Sequence, residues 1–207
     1  MRTIAIDIDG TLRNLDIALE KYLEVDHPHR VKTFTSNPES WNKLDLAFGG
    51  DRDAVMDWLY GTRAFQTFGQ APKMYRDVID HLNALDKRAR AVGDRIILSS
   101  VQREQSITAT LFWLAKNGCK VHHYRFFDSF DEKMGAGYDI VVDDHPQVLE
   151  TAKDFGSEAI VVPHPYNEHL TTEDGYKRLD YEGEKPTGLA GLADLVGLGT
   201  YQIVEGD

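Results

Sequence analysis

The chain has 207 residues and a formal net charge of −11, with 34 acidic against 23 basic side chains. That length suits one core domain with room for a small insertion, and the acidic surplus argues against a groove for long nucleic acid, which needs a basic stripe. No apolar run approaches the roughly 18 residues of a membrane span, so neither a polynucleotide nor a bilayer is an expected partner.

The first element carries the most information. Ile4-Ala5-Ile6-Asp7-Ile8-Asp9-Gly10-Thr11 reads as a buried strand over residues 2–8 that runs into two carboxylates, and Gly10 then lets the backbone turn away. Close carboxylates repel and favour a cation between them. Residues 14–24 follow as a helix, with Leu15, Leu19, Tyr22 and Leu23 on one face. Residues 26–37 hold prolines, histidines and polar side chains and read as a loop. Two further helices are expected over 38–48, with Trp41, Leu44 and Phe48 at helical spacing, and over 51–60, stopped by Gly61.

The clearest helix spans 72–87, with Pro72 in its first turn and Met74, Val78, Leu82 and Leu85 as its apolar stripe. It ends in Lys87-Arg88-Ala89-Arg90, a basic cluster that reads as a solvated helix end complementing the dipole. A strand over 95–99 runs into Ser99-Ser100, then come a helix over 104–117 and a strand near 119–124. The single cysteine, Cys119, reads as a packed thiol and excludes an internal disulfide. Lys133 falls on a polar loop, a strand over 138–142 ends in Asp143-Asp144, and a helix over 146–155 and a strand over 158–163 follow. Residues 168–186 read as an irregular excursion and 188–198 as a small closing helix. Strands alternating with helices imply an α/β fold, a parallel sheet covered on both faces.

In such a sheet the carboxyl ends of the strands form the ligand crevice. Asp7, Asp9, Ser99, Ser100, Lys133, Asp143 and Asp144 all stand at strand ends or just before a strand, so they are expected to converge. Hydroxyls and amides suit phosphate oxygens, a lysine neutralises phosphate as a point charge, and carboxylates suit a hard divalent cation. The pattern points to a small phosphorylated metabolite.

These four segments resemble the motifs of the haloacid dehalogenase superfamily of phosphohydrolases: a strand ending in Asp-x-Asp-Gly-Thr/Val, a strand ending in Ser/Thr, an isolated Lys and a strand ending in an acidic pair. The resemblance spans roughly residues 2–165. It implies a Rossmann-like three-layer core over 1–13 and 70–207, with a small helical cap over 14–69 inserted after the first strand. It also implies Mg²⁺ held by the Asp7 carboxylate, the Asp9 backbone carbonyl and the acidic pair. Asp144 is taken as the direct ligand and Asp143 as support, the reverse assignment staying open. Asp7 is then the nucleophile, Asp9 the general acid and base, and Ser99, Ser100 and Lys133 the phosphate contacts.

A narrower resemblance is to the small 5'(3')-deoxyribonucleotidases. It rests on chain length, on the helical insertion between the first two motifs and on Pro165-Tyr166-Asn167 after Val161-Val162-Pro163. The second motif departs from that family, reading Ser99-Ser100-Val101 in place of Thr-Ser-Pro. This likeness implies a (deoxy)nucleoside 5'-monophosphate as substrate and a homodimer. Trp41, Trp58 and Phe65, with Tyr60 and Phe68, are candidates to stack on the base. Met1-Arg2-Thr3 leads straight into a strand, so a cytoplasmic protein is expected.

Overall fold

The computed structural model describes residues 1–179, 181–182, 185–186 and 188–198. Residues 180, 183, 184 and 187, inside or beside the expected excursion, and 199–207 of the expected core lie outside the described residues.

Strand β1 (Thr3–Ile6) is central because its apolar side chains are wanted on both faces. Ile4, Ile6 and Ile8 enter one core with Leu82, Leu85 and Trp113, and Ala5 enters another with Tyr138, Val141 and Val148. The insertion after β1 contains α1 (Leu15–Asp26), α2 (Pro28–Thr35), α3 (Lys43–Ala47), α4 (Arg52–Met56), a π-helical turn over Asp57–Thr62, and α5 (Ala64–Gln70). The chain then runs through α6 (Val78–Ala91), β2 (Arg95–Val101), α7 (Gln105–Lys116), β3 (Tyr124–Phe127), α8 (Phe130–Met134), β4 (Ile140–Asp143), α9 (Pro146–Asp154) and β5 (Glu158–Val161). It closes with β6 (Lys177–Arg178) and α10 (Leu192–Leu195).

The sheet order is β3-β2-β1-β4-β5-β6, and every neighbouring pair is parallel. Helices α6, α7 and α10 cover one face, and α8 and α9 the other, giving three layers. The chain adds β2 and β3 on one side of β1 and then crosses back to add β4 and β5 on the other, so the crevice at the carboxyl end of β1 is the topological switch point. Among the described residues no helix is long and apolar enough to cross a membrane.

Several expected elements differ. Residues 28–35 are helical, not loop: Pro28 occupies the first turn, where its missing N–H costs nothing, and Phe34 supplies the buried contact. Helix α6 starts at Val78, not Pro72. The preceding residues are recruited by the turn after β1, where the Pro72 carbonyl accepts from Asn14 N (2.9 Å) and Met74 N donates to the Leu12 carbonyl (2.9 Å). The third strand pairs Tyr124 with Leu98, so it begins where 119–124 was expected to end. Lys133 sits on a short helix capped by Ser129, not on a loop. The 168–186 stretch contributes β6 to the sheet edge.

The helices of the insertion bury a cluster of their own, with Leu23, Phe34, Val55, Trp58 and Phe68 at its centre. Helix α5 packs on α7, where Ala109 joins the same cluster. This seats the insertion over the carboxyl end of the sheet.

Candidate active site

Period-two alternation decides what meets at the sheet tip. Asp7 continues the Ala5 face, Asp143 the Val141 face, and Ser99 the Ile97 face, and all three lie on the side covered by α8 and α9. Lys133 enters from α8. Its Nζ lies 2.5 Å from Asp7 Oδ1 and 2.6 Å from Asp143 Oδ2, with its side chain 4% exposed. Burial alone would discharge this ammonium, but the two carboxylates outweigh it and raise its pKa.

Asp143 is fully engaged, because its Oδ1 also accepts the His145 backbone N–H at 2.9 Å. Asp144 faces the other way. Its Oδ2 accepts from the Tyr166 hydroxyl, and its backbone carbonyl accepts from Asn167 Nδ2 at 2.8 Å. Asn167 is completely buried and also donates to the Val162 carbonyl, which pins the end of β5 to the acidic pair. His164 stacks on Tyr166 and bonds the Gly10 carbonyl at 2.8 Å through Nε2.

Asp7, Asp143 and Asp144 each place a carboxylate oxygen within 4.8 Å of the others. Burial pushes the Asp7 carboxyl well above the usual range; Lys133 opposes this, and the three neighbouring aspartates add to it. Burial likewise pushes Asp144 up to about 6, helped by Asp143 and opposed by His164, Tyr166 and Lys133. Among the described residues, Asp7 Oδ2 and Asp144 Oδ1 receive no hydrogen bond. Two hard oxygens, free and destabilised as anions, fit a divalent cation.

Gly10 makes this approach possible. Its φ is +80°, and a Cβ added there would occupy the Asp144 carboxylate. Gly10→Ala is therefore expected to cost more than about 1 kcal/mol, read as a lower urea midpoint. An unchanged midpoint would mean that the turn and Asp144 are not in contact.

Asp9 lies across the crevice. Its carboxylate accepts from Arg13 Nε (2.5 Å) and Nη2 (3.1 Å), Gln102 Nε2 (2.6 Å) and Ser100 Oγ (3.1 Å). The crevice opens into a cavity of about 470 Å³, walled by Asp7, Asp9, Asp144, Ser100 and Lys133 below and by Trp41, Tyr60 and Phe68 from the helical insertion.

No protein-family model matches the chain, and no curated protein matches it. Solved structures do. A hydrolase from Pseudomonas syringae superposes with a TM-score of 0.60 at 16% identity, over 95% of this chain and 99% of that one. A haloacid dehalogenase-like family hydrolase from Streptococcus pneumoniae gives 0.56 at 11% identity, over 86% and 92%. The protein CbbY from Rhodobacter sphaeroides, in complex with phosphate, gives 0.52 at 16% identity, over 86% and 93%. The fold is that of the haloacid dehalogenase-like hydrolases.

Within that haloacid dehalogenase-like fold, Asp7, Asp9, Ser100, Lys133, Asp143 and Asp144 meet at one rim. Ser99 does not share their cavity. Its hydroxyl is fully buried without a partner, in a void of about 10 Å³ lined by Asp7 and Lys133. This placement keeps the Ser99 hydroxyl off the cavity wall that Ser100 lines. Of the aromatic candidates, Trp41 lines the cavity and packs on the His145 ring at 4.5 Å. Trp58 does not. It is buried in the insertion's own core, where its Nε1 donates to Asp26 at 2.8 Å. Phe65 packs against Phe112 on the outer surface, away from the crevice. Stacking on a base is withdrawn for both, while Tyr60 and Phe68 do reach the cavity.

The sequence reading missed Arg13, Gln102 and His164 as site residues. Arg13 had no signal, since it pairs with Asp9 across a turn and not along a helix. Gln102 and His164 had none beyond lying just past the ends of β2 and β5.

Proposed function

We propose that the chain is a magnesium-dependent phosphatase acting on a small phosphate monoester, with a (deoxy)nucleoside 5'-monophosphate as the leading substrate. The observation that carries the reading is the buried Lys133 between Asp7 and Asp143, with Asp144 offering a free oxygen on the opposite side. The donor set fits Mg²⁺, with Asp7 and Asp144 as side-chain ligands and Asp143 held back by Lys133 and the His145 amide. Bound there, the ion would neutralise phosphoryl oxygens and lower the cost of ionising Asp7 and Asp144.

The chain's own residues then divide the work. An oxygen of Asp7 attacks phosphorus, the ester P–O bond breaks, and the leaving alkoxide takes a proton from Asp9. Water next attacks the aspartyl-phosphate, its proton passes to Asp9, and Asp7 is released with phosphate. Lys133 offsets charge on the phosphoryl group, and Ser100, whose hydroxyl donates to Asp9 at 3.1 Å, lines the same cavity floor. Aromatic Trp41, Tyr60 and Phe68 on the insertion support a flat leaving group such as a nucleoside, and Lys43 and Arg52 add polar contacts at the same wall.

A panel of nucleoside monophosphates and sugar phosphates, assayed for phosphate release with Mg²⁺, tests this. The reading expects nucleotides to lead. Preference for sugar phosphates would keep the chemistry and overturn the substrate, and release from none would overturn both.

The metal assignment also fixes a pH dependence. The Asp144 carboxyl binds its proton more tightly in the fold, at about 6, than its ordinary 3.8. Between those values the folded state holds more protons than the unfolded one, so stability falls as pH rises and the full penalty stands above 6. The imidazoles of His27, His81 and His145, whose pKa values burial lowers, act in the opposite sense as pH falls, so the readout is the metal effect: in thermal melts Mg²⁺ is expected to raise Tm more at about pH 7.5 than at about pH 5. An equal Mg²⁺ effect at both would contradict the assignment.

A further inference from the structure

Arg13 is completely buried, and nothing in the reaction as derived above uses it. A buried guanidinium keeps its charge and is costly unless its donors are taken. Here all three nitrogens are occupied. Nε and Nη2 fork onto Asp9, Nη2 also reaches Thr110 Oγ1 at 2.9 Å, and Nη1 donates to the Phe68 carbonyl at 2.6 Å. The group lies 5.0 Å from the Phe68 ring centroid and 5.7 Å from that of Trp113. An apolar side chain would fill that slot at lower desolvation cost, so packing does not explain an arginine.

The contacts do explain it. The turn that carries Arg13 is rigid, with Leu12 N and Arg13 N both donating to the Ile8 carbonyl and Gly10 N donating to the Arg13 carbonyl. Gln102 completes the frame: its Nε2 holds Asp9, and its Oε1 accepts from Thr110 at 3.3 Å. The Asp9 carboxylate is thereby fixed from β2, from α7 and, through the Phe68 carbonyl, from α5 of the helical insertion.

We infer that Arg13, seconded by Gln102, is a positioning residue that aims the Asp9 carboxylate and ties its orientation to the seat of the insertion on α7. The inference rests on the phosphatase reading. Its consequence is specific to one half of the reaction. An activated aryl ester loses its leaving group without a proton, so formation of the aspartyl-phosphate survives a misplaced Asp9, whereas deprotonation of the attacking water does not.

The test is rapid-mixing kinetics of the full chain with p-nitrophenyl phosphate and Mg²⁺. Arg13→Gln is expected to release about one equivalent of nitrophenolate in a burst and then turn over roughly 100-fold more slowly than wild type. Gln102→Ala keeps the arginine in place and should show the same burst with a smaller loss, which carries the test if Arg13→Gln fails to fold. Arg13→Lys, charged but unable to fork, should restore the steady state only in part. Loss of burst and steady state together, or full rescue by lysine, would overturn the inference and leave the phosphatase reading standing. A wild type that releases no nitrophenolate would overturn both.

Discussion

Asp7→Asn is expected to abolish phosphate release, by roughly 10⁴-fold or more, while the folded protein without metal stays as stable as wild type or gains stability. Both halves follow from one environment. Asp7 is 5% exposed, and its carboxyl is pushed up by burial and by three neighbouring aspartates. An amide at this place removes the nucleophile and also removes one of the crowded negative charges. Lys133 keeps Asp143 as a partner at 2.6 Å, so the ammonium is not orphaned. Phosphate-release assays and thermal melts of the same preparation separate the two effects. Wild-type turnover in the variant would reject Asp7 as nucleophile, and a large drop in Tm would reject the electrostatic picture of the site.

The opposite balance holds for Lys133→Met, which is expected to destabilise the fold by about 3–5 kcal/mol as well as to abolish activity. Methionine matches the length of the lysine stem, so the loss is one of charge and not of volume. What remains is two facing carboxylates with no cation between them, beside a third on Asp144. The double variant Asp7→Asn/Lys133→Met should therefore recover part of the stability lost by Lys133→Met alone, a non-additivity readable in urea melts. Strict additivity would mean that the two side chains do not interact as described.

The tips of β1 and β4 were legible because a β-branched run that ends on carboxylates has few structural uses, and the alternation of elements then forced both tips to the same rim. Lys133 was legible as a residue but not as a helix. Its five-residue segment shows little helical periodicity and is held by the Ser129 cap. Ser99 and Ser100 were not separable in sequence, since adjacent strand residues face opposite sides and the tertiary packing alone leaves the Ser99 hydroxyl in a small void with Asp7 and Lys133. The aromatic candidates failed for a related reason. A π-helical turn over Asp57–Thr62 shifts the register of the insertion, so spacing at 3.6 residues per turn misjudges which ring turns inward: Tyr60 lines the cavity while Trp58 faces the insertion's own core. Arg13 was missed because a fully buried arginine runs against every expectation of composition, and its partners Phe68 and Thr110 come from distant elements.

The central claim is that the Asp7 carboxylate takes a phosphoryl group from a monoester when a divalent ion sits against it and Asp144. Acid quenching of the wild type during turnover of a phosphate monoester with Mg²⁺, followed by mass spectrometry of its peptides, tests this most directly. The account predicts a phosphoryl adduct on the peptide that carries Asp7, absent from Asp7→Asn and absent without the metal. Turnover with the adduct on another side chain, or an adduct that forms equally well without a divalent ion, would contradict it.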